Sequence, residues 1–143
     1  MKAGTDYIGV AVGAIVFNDA GEVFLSQRGP NATNERGTWE FPGGKIDYGE
    51  RLQDALKREF KEEYDMVIEV GALLDVDDHI LADENQHWVS TTYLARHVAG
   101  EPYIREPEKC VAIGWFSLDQ LPAPLSLITQ YNLRSYRKAY PDR

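Results

Sequence analysis

Glu59, Glu62 and Glu63 are the residues whose type and spacing point to chemistry. On a helical wheel of about 100° per residue, with Leu52 at zero, Ala55, Leu56 and Phe60 define an apolar arc. Glu59 falls near about 340° and Glu63 near about 20°, inside that arc, while Glu62 falls at its edge near about 280°. Gln53, Asp54, Lys57, Arg58 and Lys61 take the solvated side. Residues three and four apart are neighbours on a helix surface, so the three carboxylates converge. Carboxylates aimed at a core repel one another and are costly there unless they are paired or hold a metal. Clustered carboxylate oxygens are also what a hard divalent ion binds, and Mg²⁺ adds waters and a substrate phosphate to such a set. The bland alternative is a charged helix in which Arg58 and the lysines pair with some of the glutamates, although by its angle Arg58 does not easily reach Glu63.

A helix over residues 49–64 would carry this cluster, and other elements must frame it. Residues 7–17 read as a strand, 18–21 as a turn and 22–28 as a second strand completing a hairpin. Residues 29–37 are polar, with Pro, Asn and Gly, and are expected to form an exposed loop. Pro42-Gly43-Gly44 predicts a tight turn with unusual backbone angles. Residues 66–76, 88–95 and 111–116 read as strands and 101–109 as a charged loop. A short helical turn is expected over 118–121, ahead of a closing helix over 125–140 in which Leu125, Ile128, Tyr131, Leu133 and Tyr136 can pack. Strands, a helix, more strands and a last helix give an α/β (α+β) class, a mixed sheet covered by helices.

The 143 residues suit one domain spanning 1–143 and can bury a sizeable core. Fifteen Lys and Arg against 23 Asp and Glu give a net charge of −8. That charge argues against binding nucleic acid or an anionic membrane, which attract basic surfaces. A phosphate substrate would therefore need something positive between it and the protein. Neither a membrane span nor a signal peptide is evident, so a cytoplasmic protein is the expectation. The single cysteine, Cys110, precedes an apolar run and reads as a small buried hydrophobe rather than a nucleophile. His79, His87 and His97 have no partner at ligand spacing and read as non-functional, with His87, beside Trp88, the one that could line a pocket.

Gly44 is followed after five residues by Glu50, and Glu50 after seven by Arg58-Glu59-Phe60-Lys61-Glu62-Glu63-Tyr64-Asp65-Met66. This run, residues 44–66, resembles the Nudix box, with every charged position filled at the family spacing. Trp39-Glu40-Phe41-Pro42-Gly43-Gly44-Lys45 and Leu25-Ser26-Gln27-Arg28 are similar to the family's lead-in segments. Asp65 stands where the family usually has glycine, a left-handed position after the helix that Asp tolerates better than most residues. The resemblance implies an α/β/α sandwich around a mixed sheet. It implies hydrolysis of a nucleoside diphosphate linked to a group X, with Mg²⁺, or Mn²⁺ in its place, as cofactor. Glu59, Glu62 and Glu63 would bind metal and act in catalysis, joined by the Gly44 carbonyl, with Arg58 and Glu50 bracing the loop and helix. A proton acceptor would come from the box, Glu59 first, or from a downstream loop, where Glu108 is the candidate. Arg28 and Lys45 could meet phosphate, and Trp39 could stack on a base. The lead substrate is a nucleoside triphosphate, ordinary or damaged, cleaved to monophosphate and pyrophosphate. The alternatives are a nucleotide sugar such as GDP-mannose or ADP-ribose, a dinucleotide, or a non-catalytic nucleotide sensor. The partner is thus a small nucleotide, and the protein is a monomer or homodimer.

Overall fold

The computed structural model describes residues 1–142. β1 (Gly9–Phe17) and β2 (Val23–Arg28) are joined by a turn that Asn18 closes, its Oδ1 accepting from the Ala20 and Glu22 amides at 3.0 Å. The two strands pair only at Phe17 and Val23 and then part. Into the gap beside β1 comes β4 (Gly43–Lys45), antiparallel, while β3 (Trp39–Glu40) pairs with β2 on Ser26 and Gln27. The chain continues through α1 (Leu52–Tyr64), β5 (Val67–Leu81), a 3₁₀ turn (Ala82–Glu84), β6 (Gln86–Ala99), β7 (Cys110–Phe116) and α2 (Leu127–Ala139). β6 runs parallel to β1, from Gly9 opposite Trp88 to Phe17 opposite Arg96, and the other strand–strand ladders among the described residues are antiparallel. The sheet is therefore mixed, ordered β3-β2-β1-β6-β5, with β4 beside β1 and β7 beside β2.

Alternation along β1 and β2 builds the layers, because successive strand side chains point to opposite faces. Val12, Ala14, Val16 and Phe24 pack on one face against Ala55, Leu56, Phe60 and Tyr64 of α1. Ile15, Val23 and Leu25 pack on the other against Phe41 and against Leu133 and Tyr136 of α2. The result is the expected α/β/α sandwich.

Several boundaries differ from expectation for local reasons. α1 starts at Leu52, because Gly49 has a left-handed φ of 85° and Arg51 is extended. Asp65 does close α1 in the left-handed region, at φ 56°. Gly43 and Gly44 form strand β4 rather than a turn with unusual angles. Gly43 is needed there for close approach, since a Cβ would fall on the Val12 carbonyl. β5 and β6 extend to one long hairpin, laddered as far as Leu81 opposite Gln86. Their many Asp and polar residues mask the strand signal, since Asp is depleted in strands. Residues 118–121 form a turn rather than a helix. In α2, Tyr131 is exposed, and buried Thr129 and Asn132 share the inner face with Leu133 and Tyr136. Loop 29–37 is not uniformly exposed, since Ala32 and Asn34 are buried.

Candidate active site

α1 turns two of its three glutamates inward. The Glu59 side chain is 13% exposed and lies against the β4 backbone, where a Cβ at Gly44 would fall on its carboxyl group. Arg58 reaches across the start of the helix. Its Nε and Nη2 donate to the two Glu50 oxygens at 2.6 and 2.8 Å, and Nη1 donates to Glu59 at 3.0 Å and Glu62 at 3.2 Å. Glu62 is consequently drawn outward, 60% exposed, instead of joining the inner pair. Arg58 Nη2 also donates to the Lys45 carbonyl, so it ties loop 45–51 to α1. Glu50 gains most: the Arg58 hydrogen bonds hold its carboxyl down at about 2.

Glu63 sits on the same inner side, and no Lys or Arg pairs with it among the described residues. Burial first, then the charges of Glu59, Glu40 and Glu106, push its carboxyl up to about 9. Glu59 is also raised by burial, against the pull of Arg58. Among the described residues no three acidic, histidine or cysteine side chains stand gathered round a point where an ion could sit as they are. The chemistry of the set nonetheless fits a divalent cation. Two half-buried carboxylates, a third at the helix edge and a glycine backbone pressed against one of them form a hard-oxygen cluster in which Arg58 meets Glu59 and Glu62 and no Lys or Arg among the described residues meets Glu63.

The segment 101–109 docks on the end of α1. The Tyr103 and Arg105 amides donate to the Tyr64 and Glu63 carbonyls, both at 3.3 Å, satisfying helix-end acceptors. This docking brings Glu106, not the expected Glu108, into the cavity wall near Glu63. Glu108 is exposed, and its carbonyl accepts from the Asn31 amide.

From these glutamates a cavity of about 330 Å³ runs over β1 and β4 toward the α2 face. Lys45 lies exposed at its rim. Arg28 also lines it but is already engaged, with Nη1 on both Glu40 oxygens at 2.9 and 2.8 Å and Nε on the Asn34 carbonyl at 2.7 Å. Trp39 is not among the lining residues. It stacks edge-on against Phe116 at 5.4 Å in the α2-side core. The tryptophan in the wall is Trp88, with His79, and His87 lies outside. His79 is buried with Nε2 3.3 Å from Glu35. Burial opposes charge on Glu35, but His79 and the Leu127 amide at the start of α2 outweigh it and hold the carboxyl low. Cys110 lines the cavity half-buried, and desolvation pushes its thiol up to about 11, which leaves it a poor nucleophile. Sequence reasoning missed His79, Trp88 and Asn132. One signal was available for the first two: His79 on β5 and Trp88 on β6 alternate with outward residues once the long hairpin is recognised.

An α/β/α sandwich that presents inward-facing helix glutamates to a nucleotide-sized cavity is the frame of a hydrolase of phosphoric anhydrides. The chain belongs to the NUDIX domain family, whose model matches residues 8–138. It is 45% identical over 113 residues to the 8-oxo-dGTP diphosphatase of Haemophilus influenzae, covering 78% of this chain and 79% of that protein. It is 30% identical over 114 residues to the mouse 8-oxo-dGDP phosphatase NUDT18, covering 78% of this chain but spanning only 33% of that longer protein. The crystal structure of a MutT NUDIX hydrolase from Burkholderia pseudomallei superposes with a TM-score of 0.83 at 40% identity, covering 91% of this chain and 98% of that one. Among the described residues no helix is long and apolar enough to cross a membrane.

Proposed function

We propose that this chain hydrolyses a nucleoside triphosphate to the monophosphate and pyrophosphate with Mg²⁺, and that an oxidised guanine nucleotide is its preferred substrate. The observation that carries the reading is that one cavity brings together inward-facing helix glutamates, of which Glu63 has no Lys or Arg partner among the described residues, and a polar wall that includes His79, Thr92 and Asn132. The anion end then takes the phosphates through a cation and the polar end takes the base. The 8-oxo-dGTP diphosphatase activity named for the H. influenzae relative supports the choice of base.

Glu59, Glu63 and the Gly44 carbonyl would hold the metal, with Glu62 completing the set. A bound Mg²⁺ supplies neutralisation of phosphate oxygens and acidification of a water. Arg58 keeps Glu59 and Glu50 fixed and so sets the angle between β4 and α1. Lys45 at the rim offers a charge to the polyphosphate, and Arg28 supports the wall through Glu40. Glu106 takes the proton from the attacking water, because one Glu59 oxygen is already occupied by Arg58. The reading also takes the chain as a single cytosolic domain that has no nucleic-acid partner. A pyrophosphate-release screen over nucleoside triphosphates, nucleotide sugars and dinucleotides, with Mg²⁺ and with EDTA, tests it. The expected result is release from triphosphates only, abolished by EDTA. Release from none of them would favour a nucleotide sensor.

A further inference from the structure

Lys109 lines the cavity beside Glu106, and the backbone between the two is fixed. The Glu106 carbonyl accepts from the Lys109 and Cys110 amides, both at 3.0 Å, which closes a turn. The Lys109 carbonyl accepts from the Gly29 amide at 2.7 Å, so the turn is fastened to the chain just after β2. The approach is close enough that a Cβ at Gly29 would meet the Glu108 carbonyl at 2.8 Å. The side chains are held far less firmly. Lys109 is 60% and Glu106 42% exposed, and Nζ stands 3.9 Å from Oε1. That is the longest ion pair among the described residues, and it lies beyond hydrogen-bond reach. Both ions keep much of their water, and such a pair contributes little to stability. Two other Lys or Arg side chains line the cavity among the described residues, Arg28 and Lys45. Arg28 is engaged by Glu40 and the Asn34 carbonyl, and Lys45 belongs to β4. Lys109 is thus the loosely held cation next to the loop carboxylate.

We infer that Lys109 is an exchangeable counter-ion: in the empty site its ammonium faces Glu106, and an entering polyphosphate draws it onto phosphate oxygens and leaves Glu106 bare for the attacking water. Both halves of this exchange rest on the nucleotide reading above, with Glu106 as the proton acceptor. An ammonium on a flexible four-carbon stem can swing from carboxylate to phosphate while the backbone stays still. A polyphosphate carries more charge than one carboxylate and offers several charged acceptors in its place. In the hydrolytic step the water oxygen forms the new bond to phosphorus, its proton passes to Glu106, and the anhydride bond to the departing pyrophosphate breaks. A cation kept against Glu106 would favour its charged form and weaken it as a base, so the departure of Lys109 assists that proton transfer.

The test measures binding and turnover separately, in variants shown to be folded by thermal denaturation. Binding is read with the non-hydrolysable α,β-methylene analogue of 8-oxo-dGTP in Mg²⁺, and turnover by pyrophosphate release from 8-oxo-dGTP. Lys109→Met should raise Kd and KM about tenfold while kcat changes less than about twofold, and Lys109→Arg should recover most of the affinity. Glu106→Gln, which sets the ammonium free, should tighten binding of the analogue. Added to Lys109→Met, the same change should tighten it little. A Lys109→Met protein whose kcat falls while KM and Kd hold has lost a lysine that stays with Glu106 throughout, and one unchanged in all three has lost a solvated charge. Either result, or equal tightening by Glu106→Gln with and without Lys109, overturns the inference and leaves the nucleotide reading intact. A wild-type protein that neither binds nor cleaves any nucleoside triphosphate overturns both.

Discussion

Glu63 is a carboxylate held in surroundings made for a neutral group or for a cation. Replacing it with Gln removes the charge without changing the shape. Glu63→Gln is expected to abolish turnover while the metal-free protein melts no lower than wild type, measured by pyrophosphate release and thermal denaturation. The contrast between Glu106 and Glu108 is as direct. Glu106→Gln should lower kcat on the order of 10²-fold, as loss of a general base does, while Glu108→Gln leaves it unchanged. Steady-state kinetics on the two variants checks this. At this scale the helix was legible, because a 3.6-residue period fixes which glutamates face inward. Which loop glutamate lines the cavity was not. Glu106 and Glu108 are equivalent as sequence, and only the docking of Tyr103 and Arg105 on the α1 carbonyls decides which one enters.

The elements around the cavity depend on a clamp between loop 29–37 and the tip of the β5–β6 hairpin. Glu84 accepts from the Glu35 amide at 2.9 Å and from Arg36 at 3.0 Å, and Asn34 donates to Gln86 at 2.8 Å. Gln86 also accepts from the Trp88 indole, so the clamp and the cavity wall share a residue. Glu84→Ala should cost about 1–2 kcal/mol and raise KM more than it lowers kcat, with faster amide exchange at Glu35 as the local readout. The polar composition of this loop reads as solvent exposure, yet its polar groups are spent on an element some fifty residues away. Hairpins and helices with strong periodicity could be placed from the sequence. β4 could not be, because its two glycines read as a turn and their function is to let β4 lie against Val12 and Glu59.

For the molecule as a whole, the metal-free state is governed by where its protons sit. Glu63 titrates at about 9 in the folded chain and in the ordinary carboxylate range when unfolded, so across that interval the folded state binds more protons. Stability from this group is full at low pH and is lost as pH rises through about 9. In EDTA the melting temperature should therefore fall as pH is raised, Mg²⁺ should restore it most at the alkaline end, and Glu63→Gln should flatten the dependence. Differential scanning fluorimetry across pH with and without Mg²⁺ measures all three. The net charge of −8, which at first argues only against polyanion partners, includes the carboxylates that set this behaviour. The three tryptophans are shared out among the layers in a way that has an optical consequence. Trp115 packs on Phe24 in the α1-side core and Trp39 on Phe116 in the α2-side core, whereas Trp88 alone lines the cavity. A base entering the cavity would lie near one indole and leave the other two screened by protein. The chain thus carries its own fluorescent reporter of occupancy, whose ligand-dependent signal should vanish in Trp88→Phe.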